Sequence, residues 1–258
     1  SIYGVKGEEN RYIEYLSPGF SDILKYTMDE AHKLGMGVDL TPGAGWACGG
    51  PYVPEEKGLM KLRVRSFTLN ARETWKPQDG MAGIAAMSFV GEDEKAVVLK
   101  PGEPFIAPAH GKVYIAERVK TGEKVHVPSP GGEGLAINTF DEEITNWYVD
   151  EFWKRLGIGN GLARCFFHDS FEYKGDFSIH LFDEFKKRRG YDLIRYLHVL
   201  AGDCSQEEVV ARVKSDYRET ISDLVLESFI KPFTGWAHRN KSLFRNQASG
   251  SPGNILDV

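Results

Sequence analysis

Nine residues, CFFHDSFEY at 165–173, gather a histidine, two carboxylic acids and four aromatic rings at the end of an apolar run. A carboxyl group beside aromatic surface is poorly hydrated, which favours its protonated form. An acid held protonated near neutral pH can protonate a leaving oxygen. Glu172 suits that role better than Asp169, having a longer reach and Phe171 and Tyr173 as neighbours. Asp169 or His168 could then orient it or hold a sugar hydroxyl. The competing reading is structural: Asp169 or Ser170 caps a turn, and His168 is a satisfied polar group in the core.

Two further stretches could face a sugar. The loop TPGAGWACGGPYVP at 41–54 is rich in glycine, yet Pro51 and Pro54 interrupt it and no Gly-Lys-Ser/Thr is present. Phosphate cradles need a helix amino end on the phosphate, so the loop either uses glycine conformations for its own path or presents Trp46 as a stacking surface. The stretch NQASGSPGN at 246–254 offers Asn246 and Gln247, whose amides both donate and accept. It reads equally well as a plain turn. Other chemistries fare worse. His168, Asp169 and His180 are spread over twelve residues and a helix start, and neither His-Glu-x-x-His nor paired cysteines occur. Ser-His-Asp catalysis lacks a Gly-x-Ser-x-Gly elbow.

The elements that position these residues follow from periodicity. Ser17-Pro18 is a helix start, followed by an apolar stripe from Phe20 to Leu34 and a stop at Gly35. Residues 36–41 read as a short buried strand. From 62 to 130, short alternating runs separated by Pro and Gly predict a small antiparallel β unit. Then come a strand at 135–138, a capping box Thr139-x-x-Glu142 opening a helix that ends at Gly157, and a strand at 162–167. Helices follow at 178–189 and 192–200. Ser205-x-x-Glu208 opens a long helix bent or ended near Pro232, and 243–247 is the last strand. Alternating strands and helices predict a parallel sheet, either open and doubly wound or a (β/α) barrel. In both, chemistry gathers just past the strands' carboxyl ends. Four such strands make half of an eight-stranded barrel.

Composition narrows the function classes. The chain has 258 residues, a net charge of −5 and 12% aromatics. No block of like charge argues for nucleic acid or an anionic membrane surface. Three scattered cysteines, Cys48, Cys165 and Cys204, give neither a disulfide framework nor a zinc spacing. No apolar stretch reaches membrane-spanning length. The first residue is Ser1, as expected of a processed or excised piece.

Five segments together resemble glycoside hydrolase family 106, whose characterised members are α-L-rhamnosidases. They are YLSPGFSDILKYTMDEAHKLGMGVDLTPGAGWACGGPYV, GLAINTFDEEITNWYVDEFW, FFHDSFEY, FDEFKKRRGYDLIRYLHVLAG and LFRNQASGSPGNILDV, in family order. The resemblance implies a (β/α)8 TIM-type barrel, only partly within this chain, in a longer multidomain enzyme. Residues 1–61 would form its first part, 62–130 an inserted β-rich subdomain and 131–258 its continuation. It further implies removal of terminal α-L-rhamnose with inversion, a calcium ion at the sugar with no organic cofactor, and a periplasmic or secreted bacterial setting. It puts the Asp-Ser-Phe-Glu end of the strand at the active site, with Glu172 as general acid. Inversion needs a second carboxylate roughly 6.5–9.5 Å away, expected beyond Val258; the calcium ligands are not assigned.

The expected site is therefore Glu172 as proton donor, with Trp46, His168, Asp169, Asn246 and Gln247 on the sugar. Two rivals stay open: a carbohydrate-binding or truncated barrel without catalysis, and a barrel glycosidase acting on another sugar.

Overall fold

In the computed structural model of the chain, residues 5–78, 81, 83–92 and 95–249 are described. In chain order the elements are α1 (Pro18–Lys33), β1 (Asp39–Leu40), β2 (Gly49–Gly50), β3 (Met60–Leu69), β4 (Thr74–Trp75), β5 (Ile84–Gly91), β6 (Ala96–Leu99), β7 (Phe105–Ile106) and β8 (Gly111–Lys120). After them come β9 (Leu135–Ala136), α2 (Glu142–Leu156), β10 (Cys165–Ser170), α3 (Leu181–Arg189), α4 (Leu197–Leu200), α5 (Glu207–Val225), α6 (Lys231–Arg239) and β11 (Leu243–Ser249). The fold is mixed α/β and divides into two units, one of residues 1–59, 121–174 and 222–258, the other of 60–120 and 175–221. Among the described residues no helix is long and apolar enough to cross a membrane.

The first unit holds a parallel sheet in the order β1-β10-β11. Cys165 pairs with both Asp39 and Leu243. Its central strand is pinned by rings from the helices: Phe166, fully buried, meets Phe152, Trp153 and Trp236 edge-on with centroids 5.0–6.2 Å away. Phe244 of β11 stacks on Phe233 at 4.5 Å. The helices carrying these rings start and stop as their sequences dictate. Ser17 caps α1, accepting the Phe20 N–H at 3.2 Å, with Pro18 in the first turn. Gly157 closes α2 in the left-handed region at φ 63°. The start of α2 differs from the expected capping box. The helix begins at Glu142 with Asp141 as its cap residue, because the Thr139 hydroxyl is committed to the Tyr173 hydroxyl instead.

Among the described residues three strands, not the expected four, make up this sheet. The expected strand at 135–138 is shortened to β9 and pairs antiparallel with β2. Glycine explains the pairing: a Cβ on Gly134 would lie 1.9 Å from the Gly50 carbonyl oxygen, and one on Gly49 2.3 Å from that of Leu135. Only glycines let these backbones approach so closely. Pro232 does not end its helix. A π-helical turn, Leu226–Ile230, joins α5 to α6 and places the proline in the first turn of α6. The widened turn accommodates a residue with no N–H to donate.

The second unit is built on an antiparallel sheet in the order β3-β8-β5-β6. One face packs Met87, Phe89, Val113 and Ile115 with Trp75. The other packs Ala86, Tyr114 and Ala116 against Leu197 of α4. Residues 175–221, read from sequence as barrel continuation, are thus grouped with the β-rich segment, because its second apolar face needs a helical cover. Glu117 is fully buried in this sheet and holds Arg63 at 2.8 Å and Arg65 at 3.0 Å on its Oε2. The three belong together sterically: Glu117 sits opposite Arg63 in register, and Arg65 lies two residues along the same face.

Candidate active site

The carboxyl end of β10 delivers two acids and a histidine, and strand alternation sends them to different places. Phe166, His168 and Ser170 are buried, whereas Phe167 and Asp169 are half-buried. His168 lies between the rings of Phe171 and Phe229, with centroids 4.5 and 4.9 Å away. Its Nδ1 is 2.8 Å from Asn246 Oδ1, its register partner on β11. Both residues were expected to meet the sugar. Both instead belong to the layer between sheet and helices, since they share the parity of Phe166, which packs on α2 and α6.

Burial in this apolar layer depresses the His168 pKa to about 4, only partly offset by the Asn246 hydrogen bond. The folded protein therefore binds fewer protons here than the unfolded chain, whose imidazole titrates near 6.5. The stability contributed by neutral His168 is complete above about pH 6.5 and is lost as pH falls towards 4. Chemical-unfolding midpoints measured across that window should drop on acidification, and the slope should flatten in His168→Gln.

The opposite face of the strand pair carries the polar groups that face away from the helices. Gln247, with its amide nitrogen turned to Asp169, donates to Asp169 Oδ1 at 2.6 Å and to the Asp169 carbonyl at 3.2 Å. The Arg245 guanidinium lies 4.5 Å over the Phe167 ring. The Asp169 carboxyl is raised above the usual carboxylate range, first by burial and second by the negative charge of Glu172.

Glu172 itself is exposed. The expectation that neighbouring rings would dehydrate it fails for a simple reason. Phe171 and Tyr173 are 1% and 9% exposed and point inward, so the residue between them points out. Glu172 instead edges a pocket of about 520 Å³, shared with Glu123, His126, Lys174 and the buried rings of Phe171 and Tyr173. Glu123 and His126 were absent from the sequence-derived site. The signal was present as an acid and an imidazole three residues apart in EKVH at 123–126, but it lay inside the segment 62–130 read as an inserted β unit.

Trp46 is 38% exposed on the glycine-rich loop. Its backbone N–H donates to the His126 carbonyl at 3.2 Å, which ties this loop to a pocket residue. A Cβ at Gly45 would sit 2.2 Å from that same carbonyl oxygen, so glycine is required there. The loop's other end is fixed by the Tyr148 hydroxyl, which accepts from Gly49 N–H at 2.9 Å and reaches the carbonyl oxygens of Pro42 and Gly49.

Among the described residues no three His, Cys, Asp or Glu side chains gather to hold a metal ion. Residues 250–254 of the last expected loop lie outside the described residues.

Comparison with known proteins places this site in context. A rhamnosidase from Novosphingobium sp. PP1Y, known in three dimensions, superposes with a TM-score of 0.73 at 15% identity, covering 95% of this chain and 42% of that one. That likeness concerns the fold. A protein of Formosa agariphila with a provisional beta-glucuronidase name is 23% identical over 95% of this chain and 26% of its own length. The chain thus spans about a quarter and about two-fifths of these relatives. The family model described as alpha-L-rhamnosidase matches residues 112–250, which include both acids and Gln247. Matched over more than half its length, the chain belongs to glycoside hydrolase family 106.

Proposed function

We propose that this chain forms part of a (β/α)8 catalytic barrel in a longer glycoside hydrolase that removes terminal α-L-rhamnose with inversion. Its setting is taken to be the periplasm or the cell exterior. The observation that carries the reading is the placement of Asp169 at, and Glu172 just past, the carboxyl end of the central parallel strand, inside the segment matched by the family model. That end of a parallel sheet is where barrels and open sheets hold their chemistry.

In the proposed reaction Glu172 gives its proton to the glycosidic oxygen as the bond to the anomeric carbon breaks. Water attacks that carbon from the opposite face and loses its proton to a second carboxylate. This base is not assigned among the described residues. Asp169, held by Gln247, precedes the donor by three residues and is suited to a sugar hydroxyl. Trp46 offers a partly exposed ring on the adjoining loop.

The test is a substrate panel on the full-length protein. Hydrolysis of 4-nitrophenyl α-L-rhamnoside, with the β-anomer of free rhamnose appearing first by NMR, supports the reading. Turnover of the aryl β-D-glucuronide instead would transfer the site to another sugar, the alternative raised by the Formosa agariphila relative. Binding of rhamnosides without turnover would make the chain a carbohydrate-binding barrel.

A further inference from the structure

The second unit holds a pocket of about 770 Å³ that shares no lining residue with the one edged by Glu172. Local rules build it. Asp192 caps the turn at Leu193–Tyr196, accepting the Ile194 N–H at 2.9 Å. That turn sets Arg195 beside the edge strand β6, where its Nη1 donates to the Ala96 carbonyl at 2.9 Å. Gly202, in the left-handed region at φ 85°, follows α4 and reverses the chain. The Asp203 N–H fixes the reversal by donating to the His198 carbonyl at 2.9 Å. Asp203 and Ser205 thereby join Lys95, Arg195, Tyr196 and His198 around the pocket.

The charges there are unequally matched. Asp203 is the one acid among the lining residues. Its Oδ2 accepts from Lys112 Nζ at 2.9 Å and from the Tyr114 hydroxyl at 3.1 Å. The ammonium holds this carboxyl below the usual carboxylate range. Asp203 is therefore an ionised, anchored acceptor, suited to hydroxyl groups. Arg195 is exposed and bonds a neutral carbonyl, with no carboxylate partner among the described residues. Its remaining N–H groups form a fork that matches a carboxylate. The half-buried rings of Tyr196 and His198 lie 23° from parallel with centroids 6.2 Å apart. They add a flat wall to a cavity of the size and mixed lining that small ligands occupy.

We infer that this pocket binds a glycosyl unit bearing a carboxylate, with Arg195 on the carboxylate, Asp203 and Ser205 on ring hydroxyls and Tyr196 against the ring face. It is a glycan site in addition to the one at Asp169 and Glu172. The inference goes beyond the proposed hydrolysis and does not depend on Glu172 being the proton donor.

The test is calorimetric titration of the full-length protein with methyl β-D-glucuronide, methyl β-D-glucoside and inorganic phosphate. The glucuronide should bind more tightly than the glucoside by roughly tenfold, the scale of a charge-assisted hydrogen bond. Arg195→Gln should weaken glucuronide binding by the same factor and leave both the glucoside affinity and the unfolding midpoint unchanged. Arg195→Lys, which keeps the charge without the fork, should fall in between. No glucuronide binding by the wild type, or equal affinity in Arg195→Gln, would overturn the inference. So would equal affinity for glucuronide and glucoside, which removes the carboxylate, or for glucuronide and phosphate, which leaves an anion site without a sugar. The expected binding in a protein inactive on every rhamnoside would support this site and overturn the donor assignment alone.

Discussion

Glu172→Gln, placed in the full-length protein, lowers kcat on an α-L-rhamnosyl disaccharide by roughly 10²–10⁴-fold, the usual contribution of a positioned acid. The size follows from what the proton does. An alkoxide is a poor leaving group, so cleavage of a sugar–sugar bond depends on proton transfer to the bridging oxygen as it departs. The same variant should lose far less on 2,4-dinitrophenyl α-L-rhamnoside, whose phenolate leaves without help. That contrast separates loss of an acid from loss of folding, because a misfolded protein would fail on both substrates alike. The amide is nearly isosteric with the acid, and Glu172 is exposed, so the substitution should barely disturb the chain around it. Equal loss on both substrates, or none on the disaccharide, would remove Glu172 from the donor role.

The second large effect concerns the scaffold. Phe166→Ala should destabilise the protein by about 3–5 kcal/mol, the cost of emptying a buried aromatic site. Phe166 is fully buried and touches Phe152, Trp153 and Trp236, which themselves interlock with Trp153 and Trp236 edge-on at 5.6 Å. Both α2 and α6 lean on that ring, and the same strand carries Asp169. Because two tryptophans flank it, the unfolding midpoint in urea can be followed by their fluorescence. A shift equivalent to under 1 kcal/mol would mean that the strand is held chiefly by its ladder and not by this cluster. Phe167→Ala gives a control one residue along: it faces the other side, is only half-buried, and should cost less.

Much of the unit that carries these acids was legible in the sequence, for reasons that can be named. The helix after Ser17-Pro18 and the stop at Gly157 depend on local chemistry: a capping hydroxyl, a proline in the first turn, a left-handed glycine. The strand was visible because an apolar run ends abruptly in charge, but it was expected at 162–167 and lies three residues further on, at Cys165–Ser170. What escaped notice was decided by partners distant in sequence. Thr139 has the spacing of a capping box, but its hydroxyl is taken by Tyr173, thirty-four residues on. Leu135 and Ala136 look like a parallel strand, but Gly49 and Gly134 allow a close antiparallel pairing.

The site shows the same division. His168 and Asn246 carry side chains suited to a sugar, and no local pattern separates them from Asp169 and Gln247. Parity about the strand does so, once the helix-facing side is known from Phe166. Glu123 and His126 were missed because their approach to Glu172 is a tertiary event, fixed by the hydrogen bond from the Lys174 backbone to Glu123.

The most direct test of the donor assignment is a crystal structure of the full-length protein holding an uncleaved rhamnosyl disaccharide. A Glu172 carboxyl oxygen at roughly 2.6–3.2 Å from the bridging oxygen is the expected result. A disaccharide bound with its glycosidic oxygen beyond the reach of Glu172, and another carboxyl beside it, would contradict the account.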